Sequence, residues 1–389
     1  MDKGFLKGLL VGFGLTFVAF SLFCLIVTRG DEIRFFKQEV PNQEAKDKID
    51  MLIGYIDMYY DGEYELEDLY NYAYYGLVSG LGDPYSAYYT ENDYISLAEK
   101  TNGSFVGIGA YVSYSEDGNY PMISAPMPGS PAEESGLLVG DIIVEIDGQS
   151  VYGMDLDTAV SMIKGEEGTQ VNLTIQREGE SDYIELTITR EQVISITVEY
   201  EMLENNIGYL SVSSFEKVTL DQFNEAIDDL YAQGMESLII DLRDNPGGLL
   251  YTSCGMLDRI LPKDKLLVYT VDKKGNKAEE YSDDTDVVDV PIVIILNGNS
   301  ASASEVFSGC LKDYDKATIV GETSFGKGIV QTVYAFPDGT RIKLTTSSYY
   351  SPNGINIHGT GITPDIEVSD DPETEEDEQL NAAINELLK

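Results

Sequence analysis

The sequence predicts a multidomain α+β protein on three observations. Apolar positions at helical spacing dominate residues 44–100, and short β-runs broken by glycines begin near Asn102. Beyond about residue 200, fully apolar runs of strand length alternate with helical stretches. At 389 residues, 43% of them hydrophobic, the chain is long enough for two or three separate cores. No internal repeat is visible.

Residues 1–30 come first. Gly8 to Thr28 is a run of 21 uncharged residues rich in Leu, Val and Phe, long enough to cross a bilayer as a helix. Lys3 and Lys7 precede it and Asp31 and Glu32 follow, which orients the N-terminus to the cytoplasm and the rest of the chain outside. A cleaved signal peptide is the rival. Its apolar core is usually about 7–15 residues, and no small-x-small cleavage site follows here, so an uncleaved transmembrane anchor is expected. Cys24 follows Phe23, a poor context for lipid attachment.

Residues 31–100 read as a short linker to about Gln43 and then helices, with Ile49, Leu52, Ile53 and Ile56 on one face. The dense tyrosines (Tyr55, Tyr59, Tyr60, Tyr64, Tyr70, Tyr72, Tyr74, Tyr75) are expected to fill a thin helical layer, with a partner surface as the alternative. The string G-L-V-S-G-L-G-D-P-Y-S at 76–86 ends one helix in a Gly and Pro turn.

Residues 101–190 change character. F-V-G-I-G-A-Y-V (105–112) is a strand interrupted by two glycines. S-P-A-E-E-S-G-L-L-V-G-D-I-I-V-E-I-D-G (130–148) is a short helix, a tight turn at Gly140 and Asp141, and a hydrophobic strand. A helix follows at 155–164, then G-E-E-G-T-Q-V-N-L-T-I at 165–175.

Residues 191–369 read as α/β. Strands are expected at Ile207–Val212, Ser237–Leu242, Val290–Leu296, Ala317–Val320 and Ile342–Thr346, and helices at Asp221–Gln233 and Val306–Leu311. The fully apolar strands imply a parallel sheet covered on both faces. Residues 370–389 form an acidic tail, a linker at 370–378 leading to a short helix.

The net charge of −43 argues against nucleic-acid binding and against a peripheral role on an anionic membrane. Three cysteines make no disulfide framework. Cys254 and Cys310 read as small buried hydrophobes, a single bridge between them staying open, and no metal site is indicated.

The chemistry concentrates between Ser300 and Gln331. Strand Val290–Leu296 runs into N-G-N-S-A-S-A-S-E and then a helix, so a serine there projects from the end of the sheet beside helix-start amides. The bland reading of Ser302 with Glu305 is a capping box. The chain has a single histidine, His358, so the base for a serine nucleophile is sought elsewhere. Lys327 lies between Gly326 and Gly328, and a lysine serves as a base only when neutral, its pKa depressed by burial or nearby cations. An exposed turn lysine is the alternative. Gln331, four positions on, shares its face and offers an amide oxygen to orient the amine. D-N-P-G-G at 244–248 follows a buried strand and lets amides approach a reacting carbonyl closely, a plain turn being the alternative.

Two resemblances sharpen this reading. The order of elements over roughly 100–190 resembles a PDZ domain, which binds an extended chain terminus as an added strand. The resemblance makes Phe105, Val106, Gly107, Ile108 and Gly109 the carboxylate-binding loop. From about 44 to 368 the chain resembles the carboxyl-terminal processing (tail-specific) serine peptidases. The motifs that carry this are G-L-x-x-G-L-x-D-P-Y-S, D-L-R-x-N-P-G-G, S-A-S-A-S-E, G-E-x-x-F-G-K-G-x-x-Q and G-x-G-I-x-P-D. The family resemblance implies Ser302 as nucleophile, Lys327 as general base and Gln331 as its support. It implies oxyanion donors at Gly247 or Gly248 and at Ala303. It also implies a core like that of ClpP and crotonase, no cofactor, and protein substrates with free C-termini. A homodimer is left open. In many members an arginine stands where Lys164 does. That position couples the PDZ domain to the core, and lysine keeps the charge without the bidentate geometry. His358 is read as structural.

The expected activity is endoproteolysis of extracytoplasmic proteins near their C-termini by a membrane-anchored enzyme. The alternative is a membrane-tethered PDZ scaffold with an inert core, against which the intact Ser302, Lys327 and Gln331 argue. Acyl-thioester chemistry on a crotonase-like core is a remote third.

Overall fold

The computed structural model describes residues 43–115, 117–283, 287–370, 374 and 376–389. The expected anchor, Gly8–Thr28, lies outside the described residues. Among the described residues no helix is long and apolar enough to cross a membrane. The chain divides into two units, residues 1–70 and 71–389.

In the first unit, α1 (Gln43–Tyr59) has no buried residue. Met51, Leu52, Tyr55, Met58 and Tyr59 are all exposed, and Tyr55 stacks on Tyr59 with ring centroids 5.8 Å apart. For Tyr55, Tyr59, Tyr60, Tyr72 and Tyr74 this corrects the expectation of a filled helical layer, while Tyr64, Tyr70 and Tyr75 are half-buried. Tyr72 and Tyr74, on α2 (Leu66–Ser79), are exposed as well.

In the second unit, β1 (Ala87–Tyr89) is followed by α3 (Glu91–Asn102). Thr90 and Asp93 cap α3 reciprocally, and Gly103 ends it with φ 69°. Gly103 is required: a Cβ there would stand 2.4 Å from Val218 Cγ2 and 2.5 Å from Glu216 Oε2. The helix therefore stops hard against the core and hands the chain to β2 (Ser104–Gly107), which pairs with β9 (Glu191–Ile194).

Between those two strands lies a small β-domain, built from β3 (Ala110–Tyr114), β4 (Pro121–Pro126), β5 (Ile142–Ile146), β7 (Gln170–Gln176) and β8 (Ile184–Thr189) in that spatial order. A short strand β6 (Gln149–Ser150), helix α4 (Pro131–Glu134) and helix α5 (Leu156–Ile163) complete it. Its own apolar core includes Ile123, Leu137, Ile143, Ile146, Val171 and Ile175. Strand β3 lies at an edge of this sheet.

The larger core is a six-stranded sheet in the order β10–β11–β12–β15–β16–β19. Strand β10 (Val198–Met202) is antiparallel to β11 (Ile207–Val212). From there β12 (Ser237–Asp241), β15 (Ile292–Leu296), β16 (Ala317–Gly321) and β19 (Ile366–Glu367) are parallel. The expected coverage of both faces is observed. Leu238, Ile240, Ile292 and Ile294 join α6 (Thr219–Ala232), α7 (Leu250–Asp258) and α8 (Ala303–Asp313) on one face. Ile207, Ile239, Val293, Ile295 and Val320 meet α9 (Glu378–Leu387) on the other. The acidic stretch thus leads into a helix that covers the sheet, and burying side chains such as Leu380 and Ile384 contributes roughly 1.5–3 kcal/mol each when complete. Arg243 fastens it, 2.6 Å from Asp241 and 2.8 Å from Asp377, whose side chain caps α9.

A second sheet, in the order β1–β18–β13–β14, joins β1 to β18 (Arg341–Tyr350), β13 (Leu266–Asp272) and β14 (Lys277–Tyr281), with β17 (Ile329–Ala335) also on β18. Cys254 and Cys310 are free thiols in the core, and burial pushes Cys254 up to about 12.

Candidate active site

Strand β15 is buried over its whole length and ends at Leu296, so the chain leaves the carboxyl end of the sheet directly into residues 297–302. Helix α8 then runs through the core, buried from Ala303 to Leu311, because Ala303, Ser304, Ser308 and Gly309 are small enough to let neighbours close in. Ser302 sits between strand and helix with φ 56° and ψ −112°. A non-glycine residue in that region costs about 1–3 kcal/mol and persists only when its surroundings over-determine it.

They do so here. Ser300 Oγ donates to the Leu242 carbonyl at 2.8 Å, and Ala301 N–H to the Asn245 carbonyl at 3.0 Å. Asn245, fully buried, also donates to the Val212 carbonyl at 2.8 Å and accepts the Gly247 N–H at 2.9 Å. The N-P-G-G loop is thereby folded onto the serine. A Cβ on Gly247 would stand 2.8 Å from Ser302 Cβ, and one on Gly248 would stand 2.3 Å from the Phe215 carbonyl oxygen. Among the described residues the Gly248 and Ala303 N–H groups have no hydrogen-bond partner.

Glu305 joins this loop to the lysine. Its carboxylate is 1% exposed and accepts four hydrogen bonds. Oε1 takes Ser324 Oγ at 2.6 Å and Gly326 N–H at 2.7 Å. Oε2 takes Ser302 N–H at 2.7 Å and Lys327 N–H at 2.8 Å. The capping relation read from the Ser302–Glu305 spacing is present, and the same carboxylate brings the two dyad candidates onto one oxygen atom. Buried charge is tolerable when it is answered in this way.

The glycines around Lys327 have a steric origin. A Cβ on Gly326 would stand 2.9 Å from Gly361 N, and one on Gly328 would stand 2.7 Å from His358 N. The G-T-G-I segment presses on the G-K-G turn and Gly359 N–H donates to Gly326 O at 2.9 Å. His358 itself is exposed, its N–H donating to Asn356.

Burial holds the Lys327 pKa below its ordinary value of 10.5, helped by the Lys343 charge and opposed by Glu305 and Asp83. The amine lies 4.8 Å from the centre of the Tyr85 ring. Tyr85 belongs to D-P-Y-S, which the sequence presents only as a turn. Ser86 Oγ donates to Asp83 Oδ2 at 2.6 Å and accepts the Thr345 N–H at 3.1 Å, fastening that turn to β18. Gln331 is not brought to the amine: its side-chain nitrogen reaches Thr345 Oγ1 at 3.4 Å. Sequence reasoning thus missed Tyr85 and Asn245 and undervalued Glu305. Their motifs were visible, but their partners lie in distant segments.

The small β-domain carries a groove of about 250 Å³ between edge strand β3 and α5, lined by Phe105, Gly107, Ile108, Gly109, Val160 and Lys164 among others. Val106, on the opposite side of its strand, does not line it. Lys164 Nζ lies 5.5 Å from the Phe105 ring centre and 2.7 Å from Glu99 Oε2 on α3.

A model described as peptidase family S41 matches residues 206–368, and a PDZ domain model matches 122–177. A probable CtpA-like serine protease of Staphylococcus saprophyticus is 36% identical over 334 residues, covering 85% of this chain and 67% of the relative. The chain belongs to peptidase family S41. A second probable CtpA-like serine protease, from Staphylococcus aureus strain COL, is 36% identical over 84% of this S41 chain and 65% of its own length. This chain therefore spans about two thirds of the length of those relatives.

Among solved structures, a photosystem II D1 C-terminal processing protease matches with TM-score 0.50 and 28% identity, over 87% of this chain and 90% of that one. A putative S41 protease from Bacteroides fragilis matches with TM-score 0.51 over 79% of this chain and 87% of that one, and at 19% identity it shows the fold alone.

Proposed function

We propose that this S41 protein is a serine endopeptidase, anchored by Gly8–Thr28 and acting outside the cytoplasm on proteins near their C-termini. The observation that carries the chemistry is the single Glu305 oxygen that accepts both the Ser302 and the Lys327 N–H groups. Residues so held are neighbours by construction, at the end of the central sheet and against the Gly247–Gly248 loop.

Neutral Lys327 takes the Ser302 hydroxyl proton as Oγ attacks the scissile carbonyl carbon. The resulting oxyanion meets the Ala303 and Gly248 N–H groups, since the Gly247 N–H is committed to Asn245. Protonated Lys327 then gives its proton to the leaving amine, and water, deprotonated by the same lysine, releases the acyl group. Burial and the Lys343 charge favour the neutral amine, against the pull of the Tyr85 ring, whose face attracts the protonated form. The substrate's extended C-terminus adds to the free edge of β3, its carboxylate at the 105–109 loop with Lys164 alongside.

The test uses the full chain in detergent micelles beside Ser302→Ala and Lys327→Ala variants. Each is incubated with an unfolded model protein whose terminal carboxylate is free or amidated. Cleavage by wild type alone, favouring the free carboxylate, is expected. Activity should rise as pH passes upward through the depressed Lys327 pKa, giving a neutral to alkaline optimum. Full activity in Ser302→Ala, or an optimum near pH 5, would refute the mechanism.

A further inference from the structure

Among the described residues only two tyrosines are buried, Tyr88 and Tyr349. Tyr349 is 4% exposed, near the end of β18 and within the main apolar cluster. A phenylalanine would fill the same space, so the hydroxyl needs its own explanation. It lies 3.1 Å from the main-chain carbonyl oxygen of Ser302 and closer still to that of Lys327. The Ser302 carbonyl already accepts the Glu305 and Val306 N–H groups, each at 2.9 Å. The Lys327 carbonyl has no other partner among the described residues, so the phenol proton belongs to it.

We propose that Tyr349 is a positioning residue, its hydroxyl holding the Lys327 carbonyl beside that of Ser302 while Glu305 grips the N–H groups of both. Lys327 is then held at both its N–H and its C=O, and Ser302 at its N–H by Glu305, with the phenol oxygen 3.1 Å from the Ser302 carbonyl. The backbone of Tyr349 adds a third tie, its N–H donating to the Gly328 carbonyl at 3.1 Å. Ser302 has a strained backbone and Lys327 is flanked by glycines, so the geometry of both depends on what surrounds them. A common pair of anchors makes them drift together or not at all, which keeps the distance between their side chains fixed. The hydroxyl touches no substrate and acts only through these two residues.

The inference rests on the Ser–Lys reading above, and its test separates the two. Tyr349→Phe is made in the full chain, with Tyr88→Phe as a control that removes the other buried phenol. Measured are kcat, KM, the pH profile of kcat, the rate at which a sulfonyl fluoride labels Ser302, and the melting temperature.

Tyr349→Phe is expected to lower kcat and the labelling rate by about tenfold to hundredfold, the scale set by misplacing reacting groups by about an ångström. KM should stay within about twofold. The pH limb should move upward, because a loosened loop lets water reach an amine whose other facing groups are Lys343, Glu305, Asp83 and the Tyr85 ring. Tyr88→Phe should match wild type.

A Tyr349→Phe enzyme with wild-type kcat, or a loss that only tracks the folded fraction, would overturn the proposal. Wild type that cleaves nothing refutes the peptidase reading instead. Should Tyr349→Phe not fold, difluorotyrosine at 349 keeps the shape and changes only the strength of the hydroxyl's bonds. A shifted kcat at unchanged KM then supports the proposal, and an unshifted kcat refutes it.

Discussion

Around Ser302 the shaping groups are buried and each ties together two loops: Glu305 joins residues 302 and 324–327, and Asn245 joins residues 212 and 247 while its carbonyl holds 301. Across the groove of the small β-domain the lining is mostly apolar, and its charged contact, Lys164 with Glu99, is partly exposed. The same chain therefore builds one site on buried hydrogen bonds and the other on an apolar lining with a partly exposed ion pair. Chemistry tolerates little positional error. Binding a peptide as an added strand needs only an open strand edge and an apolar trough.

The largest effect that would break this contrast is at Glu305. Glu305→Gln puts an NH2 group in place of one carboxylate oxygen, leaving the two buried donors that oxygen accepted facing another donor. A loss of roughly 2–4 kcal/mol in stability is expected, read from denaturant midpoints, with turnover falling at least about a hundredfold. Wild-type turnover would mean that the catalytic site is not held by this carboxylate.

A smaller effect tests burial at Lys327. Because its folded pKa is depressed, the unfolded chain binds a proton more readily, and the native state is penalised at every pH below the ordinary value of 10.5. The penalty grows as pH falls from there to the folded pKa and is constant below it. Lys327→Met should therefore melt above wild type at pH 7, with the gain shrinking as pH climbs towards 10.5. A gain independent of pH would show that the amine is solvated.

The smallest effect belongs to the groove. Breaking the partly exposed Lys164–Glu99 pair with Glu99→Gln should cost at most about 1 kcal/mol. KM for free-carboxylate substrates is expected to change by no more than about fivefold, with kcat unaltered. A change beyond about a hundredfold would place the groove in the same rigid class as the catalytic site.

How much of this was legible in the sequence follows from the range of the forces involved. Ile292–Leu296 and Ser237–Asp241 were readable as strands because a sheet covered on both faces demands unbroken apolar runs. Strands β13, β14 and β17 were not read, since Lys277–Tyr281 is wholly exposed and Ile329–Ala335 is only partly buried. Ser302 and Lys327 were readable from short motifs flanked by small residues. Tyr85 was not, because its meaning comes from an amine far along the chain. Glu305 was readable only as a helix cap, since its contacts with Ser324, Gly326 and Lys327 are tertiary. Gln331 was placed on the amine by spacing and by family resemblance, whereas its side-chain nitrogen reaches Thr345 on the paired strand β18. The exposed tyrosines of α1 show the converse: composition does not say what a surface faces.

The order in which the grip on Ser302 is assembled has a consequence for biosynthesis. The serine leaves the ribosome first, and Lys327 follows. The hydroxyl of Tyr349 and the 357–361 segment that presses on Gly326 and Gly328 come later still. Until those last strands have docked, the lysine lacks the Tyr349 contact at its carbonyl and the packing against its flanking glycines. A nascent or truncated chain therefore carries both Ser302 and Lys327 before the segments that shape their surroundings are present.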